Sequence, residues 1–511
     1  MSLDLAFGIA RSGLQATQRA LANVSQNITN ADTAGYTRKT APARSLTVEG
    51  MPLGVRLSEA RREVDNALLA ERDARGGEAA AAAVRERLLA GIEAVHGVPG
   101  SGESLGDTIT ALRTDLLALR GLPADTGLQR NVVQAAREIA ARFADVSGAI
   151  GEARQQAQDG MMTEVERINS GLREIADLTN LIKGDLMRGL PIGDLEDRRD
   201  IALSRLSESL PVRALHQPDG GLVLVTRGGL GLPLDTRGDA LLAPMASIGP
   251  ESFYGAGGSI PAITLGGVDV TRQLSSGRLG EYLNLRDSTL PRFQAEIDVA
   301  AAQLAHRLDA QGLRLFTGSS GQVPDVTLSY SDPASGQVGF ANQIRLSAAV
   351  ALNPALVRDG THIVADMAGG PTAFNPNPAG GPTGFATLLD RLIEHSMGET
   401  VRDGTSWAAI PSGGLGPDGS LASPFIPPRS IAAYAALLTG SQSADRAAAS
   451  ELRDRAEALK RGLDARFQDE SGVDPDAEMA ALVQLQNAYA ANARVMNTAQ
   501  QMWDSLQSIG R

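Results

Sequence analysis

Two stripes of apolar residues, spaced alternately three and four positions apart, mark the two ends of the chain. This spacing is a heptad seam, which places its members on one face of a helix, and no proline interrupts either stretch. Each stripe therefore predicts a coiled-coil helix. The first stripe consists of Phe7, Ala10, Leu14, Thr17, Leu21, Val24 and Ile28, and the second of Leu482, Leu485, Tyr489, Asn492, Met496, Ala499, Trp503 and Leu506.

Both terminal stretches carry few charges. Between Val24 and Tyr36 the only charged residue is Asp32, and between Leu482 and Val495 only Arg494 is charged. A single stripe of this kind is most often one face of a helix in an ordinary domain core. These two lie at the termini, where most domains fray, and a solvated helix usually carries more Lys–Glu pairs. We therefore expect the two terminal helices to pack together and then against other copies.

Further helical patterns lie inward of the two ends. They predict a bundle of long antiparallel helices with short connections. The last of these helices should break at Ser471–Gly472 and restart with a cap from Asp474 or Asp476. The predicted helices cover residues 59–95 with an interruption at 76–77, 105–120, 128–187, 195–209, 291–315, and 441 to the C-terminus.

Strand signals are confined to the middle of the chain. Leu222–Thr226 follows a turn, and short apolar runs recur at 262–270 and 326–330. The chain becomes rich in Gly, Pro, Ser and Asn from about 317 to 440. We predict an α-rich multidomain (α+β) protein in three parts. These are a terminal coiled-coil assembly domain (1–58 with 471–511), a helical bundle domain with short strands at about 211–272 (59–316 with 441–470), and an inserted β-containing outer domain (317–440).

Net charge and composition disfavour several kinds of binding partner, covalent cross-link and targeting segment. The net charge of −12 disfavours binding to nucleic acid. The absence of cysteine excludes disulfides and thiolate metal sites. No stretch approaches the roughly 20 apolar residues of a membrane span. The N-terminus lacks a basic region, carries Asp4 and reaches Arg11 before any long apolar run, so no cleaved signal peptide is expected. A cytosolic protein and one exported without a cleaved peptide both remain open.

No catalytic, cofactor-binding or metal-binding constellation stands out. The segment 414–419 matches G-x-G-x-x-G, but it lies in a turn and lacks the preceding strand of a dinucleotide site. Asp197 and Asp200 lie on a charged helix, where solvation or ion pairing is the default. We expect no enzyme activity and no cofactor. The histidines are single and lack ligand spacing: His96, His216, His306, His362 and His395.

The residues that follow the N-terminal stripe resemble a signature of flagellar rod, hook and hook-associated proteins, in which an Asn-rich helix ends in a Thr-x-Gly-Tyr turn. Gly35 supplies a helix stop that permits a positive φ. Lys39 stands where that family usually has Gln, a small departure at the edge of the signature. The signature residues here are Asn23, Asn27, Asn30, Thr33, Gly35, Tyr36 and Arg38.

The C-terminus and two central stretches carry the same resemblance. Ser471, Gly472 and Val473 open a segment similar to the shared ending of those axial proteins. The stretches 195–207 and 276–291 are similar to the hook-associated protein 1 branch, and the second contains Arg286 and Asp287. Glu281 and Tyr282 depart from the usual pattern of that branch.

The resemblance implies a structural subunit of the bacterial flagellum, located outside the cell after export by the flagellar type III apparatus. It implies a ring of copies at the junction between hook and filament, required for filament assembly. The implied partners are other copies, the flagellar hook protein and hook-associated protein 3, together with the cap protein and an export chaperone; neither nucleic acid nor a membrane is implied.

A set of apolar residues is expected to form the assembly interface of the terminal helices. A hook or distal-rod protein remains the main alternative. A flagellin, or a muralytic hydrolase within 317–440, is a weaker one. The predicted interface residues are Phe7, Leu14, Leu21, Val24, Ile28, Tyr36, Leu482, Leu485, Tyr489, Met496, Trp503 and Leu506.

Overall fold

The computed structural model describes residues 3–48, 51–98, 100–235 and 237–509. These residues are predominantly helical, which confirms the predicted α-rich class. The α-helices are α1 (Leu3–Thr29), α2 (Asn66–His96), α3 (Leu105–Gly121), α4 (Thr126–Met187), α5 (Gly193–Ser209), α6 (Gly277–Asn284), α7 (Leu290–Ala310), α8 (Phe340–Gln343), α9 (Ala348–Leu352), α10 (Leu356–Asp359), α11 (Thr387–Arg391), α12 (Ile431–Ser471) and α13 (Pro475–Ile509).

The strands are short and form small separate sheets of two or three strands, all paired antiparallel. Leu222–Thr226 is a strand, as predicted. The strands are β1 (Lys39–Thr40), β2 (Ala43–Val48), β3 (Met51–Leu57), β4 (Arg61–Arg62), β5 (Val212–His216), β6 (Leu222–Thr226), β7 (Gly231–Leu232), β8 (Leu241–Leu242), β9 (Thr264–Leu265), β10 (Val268–Asp269), β11 (Phe316–Thr317), β12 (Arg345–Leu346), β13 (Thr400–Arg402), β14 (Thr405–Ser406), β15 (Gly413–Leu415) and β16 (Leu421–Ala422).

Several of the helix boundaries predicted from the sequence are wrong. Helix α2 begins at Asn66, not at residue 59, and α7 ends at Ala310, not at residue 315. Helix α2 runs without a break through Gly76 and Gly77. A Cβ at position 77 would lie 2.7 Å from Pro211 Cγ and 2.8 Å from the Ser207 carbonyl oxygen, so this glycine permits a close packing contact. Helix α12 begins at Ile431, ten residues before the predicted start, because Ile431 is fully buried and anchors the first turn.

Two of the strand predictions are also wrong. Strands β2 and β3 form a hairpin near the N-terminus, although strand signals appeared only in the middle of the chain. Packing of β3 against α1 stabilises this hairpin, and a local pattern does not encode such a contact. The run 326–330 forms turns and contains no strand. There Asp325 accepts hydrogen bonds from the backbone N–H and the hydroxyl of Thr327, which favours a turn.

The chain divides into two compact units. The first, here called the terminal unit, comprises residues 1–80, 166–241 and 454–511, and the second, the central unit, comprises 81–165 and 242–453. The predicted three-part division, with a separate outer domain at 317–440, stays a prediction.

Helix α7 lies at the core of the central unit and is buried along most of its length. It also carries polar groups into this core. Asp298 is fully buried and accepts hydrogen bonds from Gln294 Nε2 (2.9 Å), the Tyr330 hydroxyl (2.8 Å) and the backbone N–H groups of Gly339 and Ala341 (2.8 Å each). The carboxylate thus fixes the segment around Tyr330–Ala341 to the helix.

Candidate assembly site

Helices α1 and α13 pack side by side and run antiparallel. Near the C-terminal end of α1, Asn27 contacts Glu478 in the first turns of α13, and further along the pair Gly13 lies against Asn492. A Cβ at position 13 would lie 3.2 Å from Asn492 Nδ2, so the absence of a side chain allows the helices to approach closely. The predicted pairing of the two terminal helices is confirmed.

Most side chains of the two heptad stripes are half-buried in this pair, while Ala10, Thr17 and Ala499 are buried. Trp503 is 45% exposed, and the side chain of Leu506 lies outside the described part of the chain. The role of the stripes in assembly therefore stays a prediction. The predicted interface residues that are half-buried are Phe7, Leu14, Leu21, Val24, Ile28, Tyr36, Leu482, Leu485, Tyr489 and Met496.

A tight turn ends α1, as the signature predicts. The Thr33 N–H donates to the Asn30 carbonyl at 2.9 Å, and the Tyr36 N–H donates to the Thr33 carbonyl at 3.1 Å. Gly35 adopts φ +79°, and a Cβ there would lie 2.6 Å from the Ile201 side chain. Both the conformation and the close contact require glycine. The turn directs Tyr36 and the following residues back along α1.

Asn27 is at the centre of the contacts that follow. Its side-chain NH₂ donates to the Lys39 carbonyl (3.0 Å) and to Glu478 Oε2 (3.2 Å). Its side-chain oxygen accepts from the Lys39 N–H (3.1 Å) and from the Tyr36 hydroxyl (3.0 Å). Asn27 is 1% exposed. One amide therefore joins the end of α1, the returning strand and α13.

Glu478 provides the C-terminal half of the same cluster. It is 2% exposed and accepts from Arg38 Nε at 2.7 Å. The Arg38 backbone N–H donates to the Ser471 carbonyl at 2.9 Å. Asp474 caps α13 by accepting from the N–H groups of Asp476 and Ala477, as predicted. The N- and C-terminal signatures are thus two halves of one contact.

Lys39, at the edge of the signature, is only 6% exposed. Its Nζ lies 2.8 Å from Asp197 Oδ2 and 2.7 Å from Asp194 Oδ1, and 3.4 Å from the centre of the Tyr36 ring. The Thr37 hydroxyl also donates to Asp197, at 2.6 Å. The residue that departs from the family pattern therefore connects the returning strand to α5.

A second cation, Arg62, binds the same acidic face of α5. Its guanidinium lies 2.5 Å from Asp200, 3.3 Å from Asp197 and 3.6 Å from Glu196. Asp197 and Asp200 are therefore ion-paired, one of the two defaults expected from the sequence. We call the cluster formed by Asn27, Tyr36, Arg38, Lys39, Asp197 and Glu478 the clasp.

The electrostatic environment of the clasp keeps Lys39 charged and the Tyr36 phenol protonated. Burial lowers the pKa of Lys39, but hydrogen bonds to Asp194 and Asp197 outweigh this effect and raise it overall. Burial also raises the pKa of the Tyr36 phenol, against an opposing effect of Lys39. Lys39 is therefore a cation and Tyr36 a neutral donor at physiological pH, and both states match the hydrogen bonds observed.

Other signature residues lie outside the clasp. Asn23 and Thr33 have exposed or half-buried side chains. Gly472 and Val473 form the connection between α12 and α13, where Val473 is buried. Arg286 and Asp287 belong to the central unit.

Arg286 is fully buried there and pairs with Asp287 at 2.7 Å and with Gln158 at 2.8 Å. This arrangement indicates a structural role within the core. Glu478 and Asp197 are clasp residues that were not predicted as site residues. No local sequence signal pointed to either residue, because Asp197 and Glu478 each lie more than 150 positions from the residues Lys39 and Asn27 that they contact.

The clasp holds the N-terminal and C-terminal segments of the chain together by hydrogen bonds and ion pairs. Among the described residues, no group of three or more His, Cys, Asp or Glu side chains is arranged to hold a metal ion. Within the same residues, no helix is both long enough and apolar enough to cross a membrane.

Three family models match separate parts of the chain. The model described as the flagellar hook-associated protein FlgK helical domain matches residues 92–322. The model for the C-terminal part of flagellar basal body rod FlgEFG proteins matches 466–509, and the flagella basal body rod protein model matches 7–37. The last two contain Asn27, Tyr36 and Glu478 of the clasp.

Two relatives from other bacteria are both named flagellar hook-associated protein 1. The flagellar hook-associated protein 1 of Salmonella typhimurium is 25% identical over 69% of this chain and 66% of its own length. The chain thus matches just under two thirds of that relative. The flagellar hook-associated protein 1 of Bacillus subtilis is 22% identical over 97% of this chain and 96% of its own length.

A solved structure of the flagellar hook junction protein FlgK from Burkholderia pseudomallei aligns with 50% of this chain and 45% of its own, with 22% identity and a TM-score of 0.39. The helical-domain model and these relatives show that the chain is similar to flagellar hook-associated protein 1, and the other two models show that its two ends are similar to flagellar rod proteins.

Proposed function

We propose that this protein is a self-assembling structural subunit of the flagellum that forms the junction between hook and filament and is required for filament assembly. The observation that carries this proposal is the α1–α13 pair, which joins the two ends of the chain and still exposes large apolar side chains. Those on α13 are Met479, Val483, Val495, Met502 and Trp503, each 45–52% exposed.

These exposed residues lie on more than one side of α13. At 100° per residue, Met479 and Val483 fall on one flank of the face that meets α1, and Val495 and Met502 fall on the other. A helix with apolar residues on several sides is normally buried by neighbours. Packing against adjacent copies would bury them at about 1.5–3 kcal/mol for each large side chain.

Assembly is proposed to complete the folding of the terminal helices. A pair of helices on its own buries little apolar surface against the entropy lost on ordering. Contacts with other copies would supply the rest. If deletion of residues 1–30 removed a full helix's worth of circular dichroism from the monomer, these residues would already be folded before assembly and the coupling would be refuted.

The partners proposed from the family are other copies, the hook protein on one side and hook-associated protein 3 on the other. The cap protein is proposed to retain subunits during assembly, and an export chaperone to bind residues around 480–511. Export by the flagellar type III apparatus would place the protein outside the cell. We propose no enzymatic activity.

Deletion of the gene tests the proposed function. We expect electron microscopy to show hooks without filaments and flagellin shed into the medium. Absent hooks would assign the chain to the rod or hook, a reading that the two rod-protein models also fit. Normal filaments would overturn the proposal.

Matched variants test the apolar surface of α13 separately. We expect Val495→Ser combined with Met502→Ser to be exported and to leave hooks without filaments. The control is Leu352→Ser combined with Ile363→Ser, which removes side chains 87% and 71% exposed from the central unit. Equal filament numbers in both variants would exclude α13 as an assembly surface.

A further inference from the structure

Two arginines face each other on the β2–β3 hairpin. Arg44 is paired in register with Arg56, so their side chains project from the same face with Cβ atoms about 5 Å apart. Both are exposed. In the described part of the chain, neither makes an ion pair or hydrogen bond, and like charges directly opposite destabilise a hairpin.

This hairpin gains little stability by itself. An isolated two-stranded hairpin is at best marginally stable in water, and this one pairs with no third strand among the described residues. It is held against α1, where the Val55 N–H donates to the Ser12 hydroxyl at 3.2 Å. The two guanidiniums are therefore displayed beside the helix pair proposed for assembly.

The opposite charge lies at the other end of the same helix pair. Around the clasp, three exposed carboxylates make no ion pair with any described residue: Asp32 after α1, Asp469 near the end of α12, and Asp476 in the first turn of α13. We call them the acidic end.

The two charged sites cannot meet within one chain. The hairpin contacts α1 at Ser12, and the clasp contacts it at Asn27, 15 residues further on. At 1.5 Å per residue this separation is about 22 Å along the helix, farther than an arginine side chain extends.

We propose that Arg44 and Arg56 bind the acidic end of a second copy of this chain, displaced along the α1–α13 axis. The pairing would remove the repulsion in the hairpin and fix the axial offset between neighbouring copies. This inference rests on the proposed function, since it concerns how copies contact each other in the junction.

Photo-crosslinking in assembled flagella tests the contact. A benzophenone amino acid replaces Pro42 in the full-length chain, because this exposed residue stands two positions before Arg44 and so on the same face of the hairpin. We expect adducts between two copies that map to peptides containing Asp32 or residues 469–476. Adducts only to another flagellar protein, only within one chain, or none at all would overturn the inference.

Charge reversal provides a second test. We expect Arg44→Glu combined with Arg56→Glu to be exported but to lose filaments, and Asp32→Lys combined with Asp476→Lys in the same chain to restore them. The control, Arg113→Glu with Arg137→Glu, makes the same charge change at exposed positions of the central unit and should keep filaments.

The two proposals fail differently. If the hairpin variant forms as many filaments as the control, the inference is wrong and the proposed function is untouched. If the gene deletion itself leaves filaments normal, the proposed function is wrong. Circular dichroism of the purified variants verifies that they fold.

Discussion

The side-chain amide of Asn27 uses both of its groups fully in a buried position, since the NH₂ donates twice and the oxygen accepts twice. This explains in physical terms why an asparagine fits the signature at this position. A glutamine would place the amide one carbon further away, and an aspartate would lose the two donors. The signature is thus a geometric requirement of the clasp.

We expect Asn27→Ala to lower the free energy of unfolding by on the order of 2–3 kcal/mol. The change leaves the Lys39 N–H and carbonyl without partners and removes one donor from the buried Glu478 carboxylate. Urea denaturation of the purified chain measures the effect. Asn23→Ala, one turn earlier on the same helix, makes no such contact and should change stability by less than about 0.5 kcal/mol. Equal losses in the two variants would contradict this account of the signature.

At the scale of secondary-structure elements, the spacing between α1 and α13 depends on small residues in α1. Gly13 lies against Asn492, whereas Gly8 has no atom within 4 Å of where a Cβ would be. Both glycines lie within the helix. Both therefore carry the same low helix propensity of glycine. They differ only in whether a residue of α13 lies against them.

We expect Gly8→Ala to stabilise the terminal helices by about 0.5–1 kcal/mol, because alanine has the higher helix propensity. Gly13→Ala should gain less or lose stability, since Asn492 must move. Gly13→Leu should separate the helices, while Gly8→Leu should be tolerated. Hydrogen exchange of α13 reports the separation. Similar protection of α13 in the two leucine variants would show that close approach at Gly13 is not needed.

At the scale of the whole molecule, stability should carry a pH dependence from the core of the central unit. Burial raises the pKa of Asp298 to about 7, and its four hydrogen bonds offset only part of that effect. Between the unfolded pKa near 3.9 and the folded value, the folded chain binds a proton that the unfolded chain does not. This group's contribution to stability therefore decreases as the pH rises from about 4 to 7 and stays constant above that.

We expect Asp298→Asn to remove this pH dependence, which amounts to at most about 4 kcal/mol. The measurement is the difference in unfolding free energy between the variant and the unsubstituted chain, by urea denaturation from pH 4 to 8. Asp145→Asn, at an exposed position, is the control and should keep the slope. A difference independent of pH would mean that Asp298 is ionised throughout the range.

The sequence by itself determined most of the helices, a cap at Asp474 or Asp476, and the resemblance to flagellar axial proteins. Heptad spacing, capping residues and the glycine stop at Gly35 are local signals, because they depend on residues within one or two turns. The Asn-rich signature was readable for the same reason. Its resemblance is carried by consecutive residues.

Only the tertiary structure decided what the signature contacts. The acidic partners of Lys39 are Asp194 and Asp197, which are more than 150 positions away and are brought beside it only by the fold. The β2–β3 hairpin likewise depends on α1, and the glycine at 77 on Pro211. Such contacts join residues distant in sequence, and their energies come from burial and charge pairing that no local pattern contains. Helices are specified locally, whereas the clasp that joins the two ends is specified by the fold.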